Sequence, residues 1–200
     1  TISGSDNKPS ALTEHLSKLG ATINYPQQAS NITDGIDVVV YTAAIHEDNP
    51  ELMEVRRQNL PALTRAQLLG QLMKNYNTPI AISGTHGKTT TSSMAAHLLH
   101  QSHVDCNAFL GGITKNYGTN YILSAESEYV VIEADEFDRS FHWLTPYATV
   151  ITATDADHLD IYGTHEAVKD AFRQFIGRIK AGGAVVIKSG VDVVVDNEAI

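Results

Sequence analysis

Residues Pro79 to Gln101 constrain the fold of this chain more than any other stretch. An apolar, strand-like run, PIAIS, gives way to Gly84-Thr85-His86-Gly87-Lys88-Thr89-Thr90, and the pattern from Lys88 to Gln101 reads as a helix. A strand that turns through glycines straight into a helix is half of a parallel βαβ unit, which points to an α/β fold. The rest of the chain agrees with that reading. Ile36 to Ala43 (IDVVVYTA) is a nearly continuous β-branched run of the kind that suits a strand covered on both faces. Pro79–Ser83, Glu128–Ala134, Ala148–Ala153 and Ala184–Lys188 are expected as further strands. Helices are expected over Pro9–Leu19, Thr64–Tyr76 and His165–Lys180. Each carries an apolar face: Leu12, Leu16 and Leu19 in the first; Leu68, Leu69, Leu72, Met73 and Tyr76 in the second; Val168, Phe172, Phe175, Ile176 and Ile179 in the third. Gly20 and Gly182 stand where the first and third would stop, Thr164 where the third would be capped, and Thr64 with Gln67 has capping-box spacing.

The stretch Asn75 to Pro79 (NYNTP) reads as a linker, so two α/β units are expected, residues 1–76 and 77–200. Thr1–Asp6 reads like the tail of a strand, and Val191–Ile200 ends without a finished element. The chain is therefore expected to be a piece of a longer enzyme. Charge narrows the partners. Against 14 Lys and Arg stand 23 Asp and Glu, a net charge of −9, which argues against a general nucleic-acid binder or docking on anionic lipid. The single cysteine, Cys106, excludes an intrachain disulfide and favours a reducing, cytoplasmic home. No apolar run has the length of a membrane span.

The glycine turn carries chemistry. Glycines let backbone N–H groups curl around phosphate oxygens, and a new helix N-terminus adds partial positive charge. Lys88 can reach the β- and γ-phosphates of a nucleotide, and the Thr89 hydroxyl can ligate Mg²⁺. The spacing is GxxGKT, with Ile82 where the usual GxxxxGK[ST] loop has its first glycine. Two acidic clusters follow strand ends. EYVVIEADEFDRS brings Glu133, Asp135, Glu136 and Asp138 together, a density of carboxylates that calls for a cation. TATDADHLDIY brings Asp155, Asp157, His158 and Asp160 together, with His158 open to reading as a metal ligand, a general base or a packed histidine. In open α/β sheets, ligands bind beyond the carboxyl ends of the strands, where these clusters lie. His97, His100 and His103 lack a partner set for a transition metal; His86 differs by sitting inside the glycine turn.

In order and spacing, GTHGKTTT, EADEFDRSF and DADHLDIYG resemble the Mur ligase family of ATP-dependent amino-acid ligases. The resemblance extends to YTAAIHEDNPEL, LPALTRAQLLGQLM and the LGG at Leu110–Gly112. It implies an incomplete Rossmann-like UDP-sugar module followed by a P-loop ATPase domain, with a third, amino-acid-binding domain beyond. It implies ATP and Mg²⁺ as cofactors, with UDP-N-acetylmuramate and L-alanine joined through an acyl phosphate. By motif match, Gly84, Thr85, His86, Gly87, Lys88, Thr89 and Thr90 would hold the phosphates. Thr89 and Glu133 would hold a metal, His158 a second one, and Lys88 would neutralise the transferring phosphoryl group. Thr42, Ala43, Ala44 and Ile45 resemble the loop that approaches the UDP part. Two positions depart from the pattern: Ala153, where relatives often carry asparagine, and Ala43, where they often carry a second hydroxyl. Related alternatives are a recycling ligase that adds a preformed tripeptide to the same UDP-sugar, and a nucleotide-binding module without activity of its own.

Overall fold

The computed structural model describes residues 1–42 and 44–195. The chain divides into two compact units, Thr1–Arg65 and Ala66–Ile200. In the first, β1 (Ser3–Ser5), α1 (Ala11–Lys18), β2 (Thr22–Asn24), β3 (Val39–Tyr41), α2 (Pro50–Arg57) and β4 (Ala62–Thr64) follow in order. β1 pairs with β2 and β3 with β4, both parallel. The first helix forms where its sequence pattern lies. The Ser10 side chain accepts from the Thr13 N–H, and Gly20 at φ +96° releases the chain. Its apolar face, however, is outward: Leu12 and Leu19 are each 67% exposed, and the buried side chain is Thr13. The second helix was not legible as an apolar stripe, although Asn49, which accepts from the N–H groups of Glu51 and Leu52, and Pro50 form a strong start signal.

In the second unit α3 (Arg65–Met73) leads to β5 (Thr78–Ser83), α4 (Lys88–His100), β6 (Asn107–Phe109), β7 (Tyr121–Ile122), β8 (Tyr129–Glu133), β9 (Ala148–Ile151), α5 (Leu159–Tyr162), α6 (His165–Ile176) and β10 (Ala184–Ile187). The packing boundary falls ahead of the NYNTP linker because α3 buries Met73 and Gly70 in this unit. A Cβ on Gly70 would lie 2.3 Å from the Trp143 carbonyl oxygen, so the helix rests backbone to backbone there. Leu72, expected in the buried stripe, is 37% exposed.

Six strands form one sheet in the order β10-β9-β5-β8-β6-β7, parallel except for β7. Alternation along the strands explains why both faces are apolar. Ala81, Val130 and Ile132 point to one side, where Phe141, Phe172, Phe175 and Ile176 cover them. Ile82 and Val131 point to the other, against Ala96, Cys106 and Ala108. The four long strands of this sheet were legible as buried runs; β6 and β7, with three and two residues, were not. A 3₁₀ segment, Phe137–Trp143, also escapes the pattern, since Asp138 and Arg139 adopt left-handed φ of 48° and 55°. Of the closing stretch Val191–Ile200, residues 196–200 lie outside the described residues. Among the described residues no helix is long and apolar enough to cross a membrane.

Candidate functional site

The strand order sets the site. β5 is flanked by β8 on one side and β9 on the other, and all three run in the same direction. Their carboxyl ends therefore meet at one edge. In register, Glu133 stands beside Ile82 and Ile151 beside Ser83, so the glycine turn after β5 emerges between the two acidic segments.

The turn is braced from β9. Thr152 Oγ1 donates to the Ser83 carbonyl at 3.1 Å and can also bond the His86 carbonyl. The Thr85 N–H reaches the Ala153 carbonyl at 3.0 Å, and Thr85 Oγ1 accepts from the Asp155 N–H at 3.0 Å. Gly84 holds φ +142°, and a Cβ there would lie 2.2 Å from Thr152 Oγ1 and 2.7 Å from the Ala153 nitrogen. Glycine is required at 84 on both counts. Gly87, at φ +83°, caps the start of α4 and leaves its first N–H groups without a side-chain partner at the cap. Ala153, where the family resemblance leads one to expect asparagine, contributes its backbone carbonyl. His86 stays at the rim, its Nε2 3.7 Å from Asp155 Oδ2, with both side chains about two-thirds exposed.

Lys88 and Thr89 leave the turn toward different carboxylates. Lys88 Nζ donates to the Gly84 carbonyl at 2.9 Å and to both oxygens of Glu136, at 2.8 and 2.7 Å. Asp135 Oδ1 is 4.0 Å away. Thr89 Oγ1 donates to Glu133 Oε1 at 2.8 Å. The other oxygen of Glu133 accepts from Ser92 Oγ at 3.2 Å and the Gly111 N–H at 2.7 Å. Gly111 cannot carry a side chain in this arrangement, because a Cβ would lie 2.3 Å from Glu133 Oε1. His158 Nε2 lies 3.6 Å from Glu136 Oε1, an ion-pair rather than a hydrogen-bond separation. Its ring meets Phe137 edge-on with centroids 5.2 Å apart. Lys88 and His158 thus converge on Glu136, while Glu133 joins the same edge through Thr89. Thr90 is exposed on the first turn of α4 and lines a cavity of about 320 Å³ with Thr89, Ser93, Met94, His97 and Ile113.

Glu136 is the residue that sequence reading missed as a partner in its own right. It was one of four similar acids in the run; in the fold it is fully buried. Its backbone carbonyl accepts from the Tyr162 hydroxyl and the Arg139 N–H. Burial, reinforced by the Glu136 carboxylate, pushes the Tyr162 phenol up to about 12, so it stays a donor at neutral pH.

Mg²⁺ takes hard oxygen donors and usually keeps several waters, binding one or two carboxylates plus substrate phosphates. The Thr89 hydroxyl and Glu133 carboxylate, already together at 2.8 Å, fit that requirement. Among the described residues no group of three or more His, Cys, Asp or Glu side chains is placed to hold a metal ion, so the edge is not a closed protein cage.

In the first unit, Thr42, Ala44 and Ile45 line a separate cavity of about 810 Å³ with Ser3–Ser5, Asn24 and Asn49 among its walls. Thr42 Oγ1 accepts from the Ala44 N–H at 3.3 Å. Ala43 lies outside the described residues.

Known proteins resemble this chain along nearly its whole length. A family model described as the Mur ligase middle domain matches residues 82–196, and one described as the Mur ligase family, catalytic domain, matches residues 1–77. The UDP-N-acetylmuramate–L-alanine ligase of Phocaeicola vulgatus is 53% identical over 196 residues, which is 96% of this chain and 43% of that protein. Its counterpart in Parabacteroides distasonis is 51% identical over 197 residues, 96% of this chain and 42% of that protein. The chain spans less than half the length of these relatives. Among solved structures, UDP-N-acetylmuramate-alanine ligase from Thermotoga maritima superposes with a TM-score of 0.82 at 31% identity, covering 96% of this chain and 44% of the other. The ligase for UDP-N-acetylmuramate and L-alanyl-γ-D-glutamyl-meso-diaminopimelate from Neisseria meningitides reaches a TM-score of 0.87 over 96% of this chain and 64% of the other. At 24% identity, that likeness speaks for the fold alone. With one family model spanning residues 82–196, more than half of the sequence, and relatives aligned along almost all of it, this chain belongs to the Mur ligase family.

Proposed function

We propose that this chain supplies the nucleotide site, and part of the UDP-sugar module, of an ATP-dependent ligase. That enzyme would join L-alanine to the lactyl carboxylate of UDP-N-acetylmuramate, a step in peptidoglycan precursor synthesis. The observation that carries the reading is the convergence of Lys88, Thr89, Glu133 and His158 on the edge where the glycine turn opens. The identities of 53% and 51% to ligases named for this reaction support the choice of acceptor. In this reading residues 1–76 serve the UDP-sugar and 77–200 the nucleotide.

A carboxylate resists attack by an amine, because it is anionic and oxide is a poor leaving group. Transfer of the γ-phosphoryl group of ATP to one carboxylate oxygen gives ADP and an acyl phosphate. The neutral amine of L-alanine then attacks the acyl carbon. The tetrahedral adduct expels phosphate, which carries away one oxygen of the original carboxylate, and the amide remains. Phosphoryl transfer needs positioning and neutralisation more than covalent help from the protein. Gly84 to Thr90 would cradle the phosphates with backbone N–H groups, and the Lys88 ammonium would follow charge onto the transferring group. Mg²⁺ held by Thr89 and Glu133 would screen the phosphate charges. His158 would hold a second metal ion near the acceptor carboxylate. Thr42, Ala44 and Ile45 would contact the UDP part from their own cavity wall. A cytoplasmic setting belongs to this reading. Cys106, the single cysteine, has no disulfide partner within the chain, and burial pushes its thiol up to about 11, leaving it inert.

The test is isotopic. In the full-length protein, UDP-N-acetylmuramate labelled with ¹⁸O in its carboxylate should deliver one label to inorganic phosphate when L-alanine and ATP are supplied. Unlabelled phosphate would remove the acyl-phosphate route. Turnover with a murein tripeptide but not with L-alanine would move the assignment to the recycling ligase.

A further inference from the structure

The anion that faces Lys88 in this structure is a carboxylate of the protein. Both oxygens of Glu136 accept from Nζ, at 2.8 and 2.7 Å, and the Glu136 side chain is wholly inaccessible while that of Lys88 is 16% exposed. A buried carboxylate is costly unless paired. Here the pairing extends further, because His158 Nε2 stands 3.6 Å from Glu136 Oε1. One buried acid therefore touches the lysine of the glycine turn and lies within ion-pair reach of the imidazole from the neighbouring strand end. Its backbone is held separately, through the Tyr162 hydroxyl and the Arg139 N–H on its carbonyl. The side chain is thus free to act on Lys88 and His158 without being needed to fix its own loop.

From this geometry we propose that Glu136 is a positioning residue with two opposed effects. It keeps Lys88 folded back on the Gly84 carbonyl until a triphosphate competes for the ammonium, and it keeps Lys88 and His158 aligned during turnover. The two effects have different signs in an experiment. An ammonium already bonded to a carboxylate must be shared before it can bind phosphate, so Glu136 weakens nucleotide affinity. Charge-assisted bonds are strong and directional, so the same contact sharpens the placement of the ammonium, while Glu136 Oε1 at 3.6 Å gives the His158 ring a fixed polar neighbour. The inference rests on the nucleotide reading of the glycine turn and deepens it.

Glu136→Gln keeps the shape and removes the charge. Wild type and variant are compared by titration calorimetry with ATP, without and with Mg²⁺, and by steady-state kinetics in the full-length protein. The expected result is a split: ATP binds severalfold tighter to Glu136→Gln, while kcat falls roughly tenfold or more. Glu136→Asp, which keeps the charge but is one methylene shorter, should retain near wild-type ATP affinity with an intermediate kcat. It also preserves the test should the glutamine variant fold poorly. Equal affinity and equal kcat in wild type and Glu136→Gln would overturn the proposal. So would a joint fall of affinity and kcat in both variants, since that is the mark of structural damage alone. Failure of the wild-type protein to bind ATP would overturn the nucleotide reading itself, and this proposal with it.

Discussion

The two units solve the burial problem to very different degrees. In the second, the central strands β5, β8 and β9, four to six residues long, share a sheet covered on both faces, and Phe141, Phe172 and Phe175 are fully buried against it. Their rings pack directly, Phe141 on Phe175 at 4.7 Å and edge-on to Phe172 at 5.3 Å. In the first, each strand among the described residues has three residues, and the strands stand two by two. Its buried hydrophobic side chains among the described residues are Leu52 and Val55, and the leucines of α1 face outward. The contrast locates rigidity. The glycine turn emerges from the closed sheet, where backbone positions are over-determined, which suits the proposed phosphate cradle, since such a cradle needs donors fixed to within fractions of an ångström. The cavity beside Thr42 is walled by the three-residue strands β1 and β3, the turns after them and one face of α2, a smaller framework that opens locally at lower cost.

Substitutions can break that contrast, and residue-resolved amide exchange reads them. Phe172→Ala removes a fully buried ring from the closed sheet and should cost about 3–5 kcal/mol, seen as lost protection along β5, β8 and β9. Amides of β1 to β4 should keep their rates; a uniform loss through both units would refute the division. Lys88→Ala should cost somewhat less, about 3 kcal/mol, because it leaves the buried Glu136 carboxylate without its partner. It should also abolish nucleotide turnover. The buried partner makes the variant costly to the fold as well as to the chemistry. Leu12→Ser, at a site 67% exposed, should move stability by no more than about 0.5 kcal/mol, whereas the same change in a true apolar stripe would cost several times that.

That last case marks where sequence was a good guide and where it was not. Periodicity names a helix and its apolar face, but it does not say whether a partner lies against that face. For α6 it does, with Val168, Phe172, Phe175 and Ile176 all buried; for α1, among the described residues, Leu12 and Leu19 stay 67% exposed. The strand before the glycine turn, the turn and the helix after it were legible because each step obeys a local rule. The carboxylates were legible only as a group. Four acids in six residues look alike until the end of β8 separates them: Glu133 is its last residue and points to Thr89, while Glu136 turns under the loop to meet Lys88. The bracing by Thr152 was illegible for a related reason. A threonine just past a strand is common, and its bond to the Ser83 carbonyl spans 69 residues. Gly111 stood out only through the family-like LGG, not through the carboxylate it has to admit.

Acid titration gives the smallest and most selective comparison. In the second unit, burial holds the His142 imidazole below its ordinary value of 6.5, outweighing the bond between its Nε2 and the Ala171 carbonyl at 2.9 Å. A base whose folded pKa is depressed binds protons less readily when folded. Its stabilising contribution is therefore full above pH 6.5 and is lost as pH falls below that value. In the first unit, hydrogen bonds from Arg57 and Gln58 hold the Glu54 carboxyl at about 2, against 4.5. Its contribution is full above pH 4.5 and is lost as pH falls from there toward 2, and it is small because the Arg57 side is exposed and screened by salt. On descending from pH 7.5, protection of the β5, β8 and β9 amides should weaken first, and that first step should vanish in His142→Gln. Protection around α2 should hold until below pH 4.5, with its late loss removed by Glu54→Gln. A descent in which α2 weakens before the sheet would mean that local charge pairs, not burial, set the order in which the two units yield.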